Sequence, residues 1–339
     1  LRGVALPFTF FRRISPDASN IFSMNIAENI PLFSLTGYEA IYRVTVIITA
    51  LAALALFALN RKDLRPAHIA LFLGFSYLAF SAERNVLLYI IIIIPIIGYH
   101  ATRCGIIDAC RAMQRTLQRP LKYALYAGAL LMLLSATVQH AWVVAIYPAH
   151  RMLSPFRFPE KITEYLKRNP IEGRMFNDIR YGGYLLWNFY PSKQVFVDGR
   201  LILRSEHFFA EYLRLCDTPE LFPQVVRQFN ITHAILPSAI FTLYHKLIRW
   251  LYESNQWRLE YTDGESMLFV RSDSAKKPSV DLSDQTVVDA VLDSIRVQWQ
   301  NAPYVRREAM GYFSEMLGYL GLVNSAEMVK IRMHQTSEE

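Results

Sequence analysis

The sequence predicts an α-helical membrane domain of about four spans, followed by a small α/β domain and a C-terminal helical hairpin. Three observations carry this. Apolar runs of membrane length crowd the first 150 residues. Strand-like and helix-like patterns then alternate to about residue 272. Helical patterns return after a polar stretch at 272–282 and run nearly to the end. The divisions expected are an N-terminal segment at 1–40, transmembrane helices at 41–147, the α/β domain at 148–272, and a linker with a helical tail at 273–339.

The composition agrees with a membrane part joined to a water-exposed part. Hydrophobic residues make up 53% of the 339, which is high for a soluble chain. The formal net charge is +7. The basic residues flank apolar runs instead of forming one long patch, which suits a membrane protein and not a nucleic-acid binder. The chain opens at Leu1 without an initiator Met or a signal-peptide pattern, so it reads as a piece of a longer membrane protein.

Four stretches fit the roughly 20 apolar residues that a bilayer asks of a helix. They are 41–59, 66–82, 85–101 and 121–143. Pro95 lies inside the third, where a bundle tolerates it. The link "NRKDLR" at 60–65 and the loop holding Arg103, Arg111, Arg115, Arg119 and Lys122 are strongly basic. Both fall on one face, which the positive-inside rule assigns to the cytoplasm. Residues 1–40 and 148–339 then face outward, making the α/β domain extracytoplasmic. Tyr38, Trp142 and Tyr147 sit where interfacial aromatics belong. Glu83 and Arg84, at the short turn between the second and third stretches, are candidates as ionisable groups at membrane depth or plain interfacial turn residues.

Beyond residue 150, "PEKITEYLKRN" reads as a helix with Glu160 in its first turn. Residues 173–178 read as a strand, "YGGYLLWNFY" as a short helix, and 193–199 as a second strand with Val195 and Val197 alternating against Phe196. Helices are expected at 205–215 and 219–229, a buried strand at 232–237, and a helix at 240–254 with Leu243, Leu247, Trp250 and Leu251 on one face. A hairpin is expected around Asp263-Gly264. In the tail, 307–331 resembles one helix pair of a tetratricopeptide-type repeat, with Gly318, Leu320, Gly321, Asn324 and Ala326 in suggestive places. A single unit fits a plain helical hairpin better, because solenoids need about three repeats.

The densest chemistry lies in "FNDIRYGGYLLWNFYPSKQVFVDGR", residues 176–200. Asn177 and Asp178 end one expected strand, and Asp198 and Arg200 end another. In open α/β sheets, ligands bind beyond the carboxyl ends of strands. The candidate ligand residues are therefore Asn177, Asp178, Tyr181, Gly182, Gly183, Asp198 and Arg200. An Asp there suits sugar hydroxyls, a cation or a basic partner, and Arg200 suits phosphate or carboxylate. The same residues also read as scaffold, with the acids capping turns, Arg200 paired to one of them, and the glycines permitting close approach. No GxGxxG or Walker pattern is present, nor HExxH or GxSxG, and the eight histidines do not cluster. Cys104, Cys110 and Cys216 have neither disulfide nor zinc spacing. No metal site is read from the residues.

With "FPEKITEYL" before it and "THAILP" and "LFVR" after it, this stretch resembles the C-terminal half of a group of bacterial polytopic membrane proteins, over roughly residues 20–272. That group in turn resembles GT-C-type membrane glycosyltransferases, which use lipid-linked sugars. The resemblance implies a multi-pass protein of the bacterial inner membrane, and glycosyl transfer from a polyprenyl-phosphate sugar in envelope glycan assembly. It also implies a divalent cation for metal-dependent forms. The superfamily's catalytic acids lie in its first outward loop, so no catalytic residue is carried over here. Asp17, Glu28 and Glu39 are the only acids of the N-terminal outer segment placed near the membrane. The alternative is a non-enzymatic binding or assembly module, anchored in the bilayer. It would hold an envelope glycan through the α/β domain or a protein partner through the helical tail.

Overall fold

A computed structural model describes residues 21–26, 29–36, 40–109, 112, 119–146, 156–201 and 204–335. Asp17, Glu28, Tyr38, Glu39, Cys110, Arg111, Arg115 and Tyr147 lie outside these residues. The chain divides into two compact units, 1–133 and 134–339, considered one at a time.

In the N-terminal unit, α1 (Ala40–Leu59), α2 (Pro66–Ser81) and α3 (Val86–Arg103) follow one another through 3-10 turns at Arg61–Asp63 and Glu83–Asn85. Pro66 opens α2, where its missing N–H is no loss. Helix α3 continues through Pro95. The three pack around Val46, Ala53, Phe57, Phe72, Ala79, Tyr89 and Ile93, with Leu32 of a short N-terminal turn added to the cluster. Inside this apolar bundle the Tyr89 hydroxyl finds a partner in Thr49 Oγ1 at 3.1 Å, as a buried hydroxyl must.

Two helical stretches, Ile41–Leu59 and Glu83–Arg103, are long and apolar enough to cross a membrane. Pro66–Ser81 is equally apolar but spans only 16 residues. Helix α4 (Arg119–Ile146) occupies the fourth expected stretch, with its apolar part at Lys122–Ser135. Every stretch read as a span is thus a helix, and two of them meet the length standard.

In the C-terminal unit, a four-stranded mixed sheet has the order β1-β2-β4-β3. β1 (Arg174–Asn177) lies parallel to β2 (Ile231–Pro237), and the hairpin of β3 (Trp257–Thr262) and β4 (Ser266–Arg271) completes it antiparallel. Met175, Ile235, Leu268 and Val270 form one face, covered by α5 (Glu160–Arg168) and α6 (Gly182–Phe189) through Ile162, Leu166, Leu185 and Phe189. On the other face Phe176 meets Tyr212 of α7 (Glu206–Asp217) and Phe222 of α8 (Phe222–Phe229). Helix α9 (His245–Glu253) buries Leu247 and Leu251, but starts later than its sequence pattern suggests, leaving Leu243 exposed ahead of it.

The tail has three helices, α10 (Gln285–Gln298), α11 (Pro303–Tyr319) and α12 (Val323–Gln335). Asp284 caps α10 by accepting from Thr286 N at 2.8 Å. Helices α11 and α12 form the expected hairpin, turned at Gly321 (φ +82°) and tied by Ser314 Oγ donating to Ala326 O at 3.0 Å. Helix α10 is seated on the β3–β4 turn. A Cβ at Gly264 would lie 2.5 Å from Ile295 Cδ1, and Trp299 Nε1 donates to the buried Glu265 carboxylate.

One expected strand is not formed. Residues 193–199 lie beside β1, bend at Phe196 and Gly199, and join no ladder. The Asn177 side chain stands in for the missing backbone pairing. Its Oδ1 accepts from Phe196 N at 2.8 Å, and its Nδ2 donates to Val197 O at 2.8 Å. The alternation of Val195, Phe196 and Val197 is real, but one side-chain amide satisfies the backbone that a neighbouring strand would otherwise have paired.

Candidate functional site

The carboxyl end of β1 is the chemical centre of the C-terminal unit. Asp178 N donates to Ile235 O at 3.0 Å, continuing the parallel pairing one step past the strand. The chain then turns tightly, because Asp178 Oδ1 accepts from Arg180 N at 2.5 Å. The Arg180 guanidinium folds back onto the same carboxylate, Nε to Oδ2 at 2.9 Å and Nη2 to Oδ2 at 2.6 Å. Its Nη2 also donates to Ile240 O at 3.0 Å. Ile240 has φ 52°, a left-handed conformation that β-branched residues avoid, so this contact fixes a strained loop residue after β2.

Two tyrosines complete the network. Ile179 N donates to Tyr244 Oη at 3.1 Å, and the Tyr212 hydroxyl donates to Asn177 O at 3.1 Å. The two hydroxyls are 2.7 Å apart. With the Tyr212 proton engaged on Asn177, Tyr244 must donate to Tyr212, which fixes the direction of the chain. Burial pushes both phenols well above their ordinary value, so both remain donors. Tyr181, similarly raised by burial, donates to Glu265 O at 3.3 Å.

Asp198 and Arg200 repeat the local device. Asp198 Oδ1 accepts from Arg200 N at 2.8 Å, and Arg200 Nη2 reaches Oδ2 at 2.6 Å. Hydrogen bonding to Arg200 holds the Asp198 carboxyl below its usual range. The surroundings differ. The Asp178 side chain is fully buried and that of Arg180 is 24% exposed, against 14% and 63% for Asp198 and Arg200.

The structure brings Asn177, Asp178, Tyr181, Gly182 and Asp198 together. Gly182 opens α6 directly against the 197–198 backbone, where a Cβ would lie 2.1 Å from Val197 O and 2.7 Å from Asp198 Cα. Gly183, one residue on, faces open space. Arg200 is on the surface and Arg180 takes the inner position. The sequence reading passed over Arg180, Tyr212 and Tyr244. The signal for Arg180 was present as the Asp-x-Arg of 178–180, which recurs 20 residues later at 198–200 and stands also at 63–65. The tyrosines come from α7 and the segment before α9, and no local pattern links them to residue 177.

Each of the two aspartates already has its carboxylate occupied by an arginine two residues on. That does not fit a divalent cation, which needs those lone pairs and repels the guanidinium. Among the described residues no group of three His, Cys, Asp or Glu side chains could hold a metal ion. Glu83 is half-buried and Arg84 exposed in the turn before α3, and Glu83 N donates to Ile30 O at 3.0 Å. Cys104 and Cys216 are free thiols.

The arrangement is chemically closed. Asn177 and Asp178 have no exposed surface. It can hold three backbone segments in fixed register and leaves the Arg200 guanidinium facing solvent. Comparisons with protein-family models, with curated proteins and with solved structures find no match for this chain.

Proposed function

We propose that this chain belongs to a multi-pass protein of the bacterial inner membrane whose C-terminal unit lies outside the cytoplasm and acts as a binding or assembly module. The observation that carries the module reading is the closed carboxyl edge, since acids locked onto neighbouring arginines inside a protein core are scaffold and not reagents. Membrane insertion is supported by α1 and α3. Only 22% and 28% of their apolar windows are buried within the chain, and Ile41, Val44, Ile48, Leu51, Leu87, Ile91 and Ile94 are exposed. Such surfaces suit lipid. The basic loops at 60–65 and 103–122 support the orientation. A reporter fused after residue 275 should be active as an exported fusion, and a cytoplasmic signal there would overturn the topology. Removing 300–339 should abolish co-purification of an envelope partner. Retained capture would overturn the assembly role of the tail.

A second reading is glycosyl transfer from a polyprenyl-phosphate sugar, supported by the resemblance of residues 20–272. Asp17, Glu28 and Glu39 are its candidate acids. Transfer to an acceptor that is lost when all three are replaced would support it. Absence of transfer from lipid-linked sugars by the full-length protein would count against it.

A further inference from the structure

A cavity of about 240 Å³ opens between α7 and α8. Its walls carry half-buried Phe196, Phe208 and Phe229, and its rim carries exposed Glu211, Arg214, Gln224 and Gln228. We propose that this cavity binds one pyranose ring of a saccharide. This rests on the module reading above and gives that module a ligand class.

The argument is chemical. Glu211, Arg214, Gln224 and Gln228 supply acceptors and donors together, with His207 beside Glu211 at 3.6 Å and Arg204 over the Phe208 ring at 5.1 Å, a mixed polar rim that suits the many hydroxyls of a polyol. Glu211 and Arg214 lie one turn apart on α7, and Gln224 and Gln228 one turn apart on α8, so each pair projects from one helical face. The aromatic walls form a corner and not a slot. The Phe196 and Phe229 rings stand at 87° with centroids 5.4 Å apart, and the Phe208 ring tilts 34° from Phe196 at 5.7 Å. A chair-shaped ring presents an apolar C–H face to one wall and equatorial hydroxyls to the rim. The volume is below the ~300–1,000 Å³ of sites for larger ligands, so the cavity takes one ring, either a free sugar or one residue of a glycan.

The test uses the full chain in lipid nanodiscs, purified in a non-glycosidic detergent. Saturation-transfer NMR with methyl β-D-glucopyranoside and methyl N-acetyl-β-D-glucosaminide should show the strongest transfer at the ring C–H protons. Phe208→Ala and Gln228→Ala should each weaken binding about tenfold, or about 1.4 kcal/mol, with cooperative unfolding retained in both and the melting temperature unchanged in Gln228→Ala, whose side chain is exposed. A chito-oligosaccharide binding no tighter than the monosaccharide marks a single-ring site, and a clear gain marks one residue of a glycan chain. Absence of transfer from both glycosides and the oligosaccharide would overturn the proposal, as would transfer unchanged in both variants or uridine binding through the same two residues. Failure here with partner capture intact would remove the sugar site and leave the module reading standing.

Discussion

Asp178-Ile179-Arg180 and Asp198-Gly199-Arg200 share an Asx-type turn closed by the arginine two residues on, with matching distances of 2.6 Å between Nη2 and Oδ2. The first has a fully buried carboxylate, caught between β1, β2 and the loop after β2. The second is open to water at its arginine. The same pattern at Asp63-Leu64-Arg65 closes no such turn, and Asp63 pairs instead with Arg103 at 3.3 Å, so the three residues permit the turn and the surrounding fold decides whether it forms and whether it is structural. In water the Coulomb gain of such a pair nearly vanishes, whereas inside a protein either partner left alone is a stranded charge.

The comparison breaks most clearly by substitution at the two aspartates. Asp178→Ala should destabilise the C-terminal unit by about 3–5 kcal/mol, because the Arg180 guanidinium and the Arg180 N–H lose their buried acceptor. Asp198→Ala should cost several-fold less. Denaturant unfolding followed through the near-ultraviolet signal would check both, and equal losses would mean the two sites are alike.

Asn177→Ala comes next. It strands the Phe196 N–H and Val197 C=O that now use its amide, at about 1–3 kcal/mol for a buried unpaired group. Amide exchange at Phe196 should quicken before that of β2. An unchanged rate would mean the 193–199 segment is held by packing alone.

The adjacent glycines sharpen the same contrast. Gly182→Ala must push residues 197 and 198 away, costing about 1–3 kcal/mol as overpacking does. Gly183→Ala meets nothing and adds helix propensity, so it should be neutral or stabilise by up to about 1 kcal/mol. Thermal unfolding of the two single variants would show opposite signs.

The smallest effects are in acid. Burial holds His233 at a pKa of about 3 against its usual 6.5. Between those values the unfolded chain binds the extra proton. Stability from this group is therefore complete above pH 6.5 and falls on acidification, by up to about 1.4 kcal/mol per pH unit. His233→Leu should flatten that part of the pH–stability curve. Asp198, whose pKa is lowered by Arg200, contributes above the usual carboxylate pKa and loses its share only as pH falls below about 4. Asp198→Asn should change the curve only there.

Much of this arrangement was legible in the chain. The four apolar stretches are helices because continuous apolar runs leave the backbone no better partner than itself. β1 follows from a short apolar run and the Asp263-Gly264 hairpin from two such runs about a glycine suited to positive φ. The strand expected at 193–199 was misread because alternation reports burial, and burial here came with a side-chain amide as partner instead of a neighbouring strand. The site was half legible. Asn177, Asp178, Gly182 and Asp198 do converge, while Tyr212 and Tyr244 arrive from distant helical segments without any local trace.

The sequence by itself determined the local elements and the positions of the apolar helices, since each depends on residues within a few positions of one another. The tertiary structure alone decided the strand order β1-β2-β4-β3, the burial of one turn and exposure of the other, the unequal fates of Gly182 and Gly183, and the seating of α10 on the hairpin turn. Those depend on which surfaces meet across long separations, where close packing and the removal of water set the energy and no short pattern of residues encodes the partner.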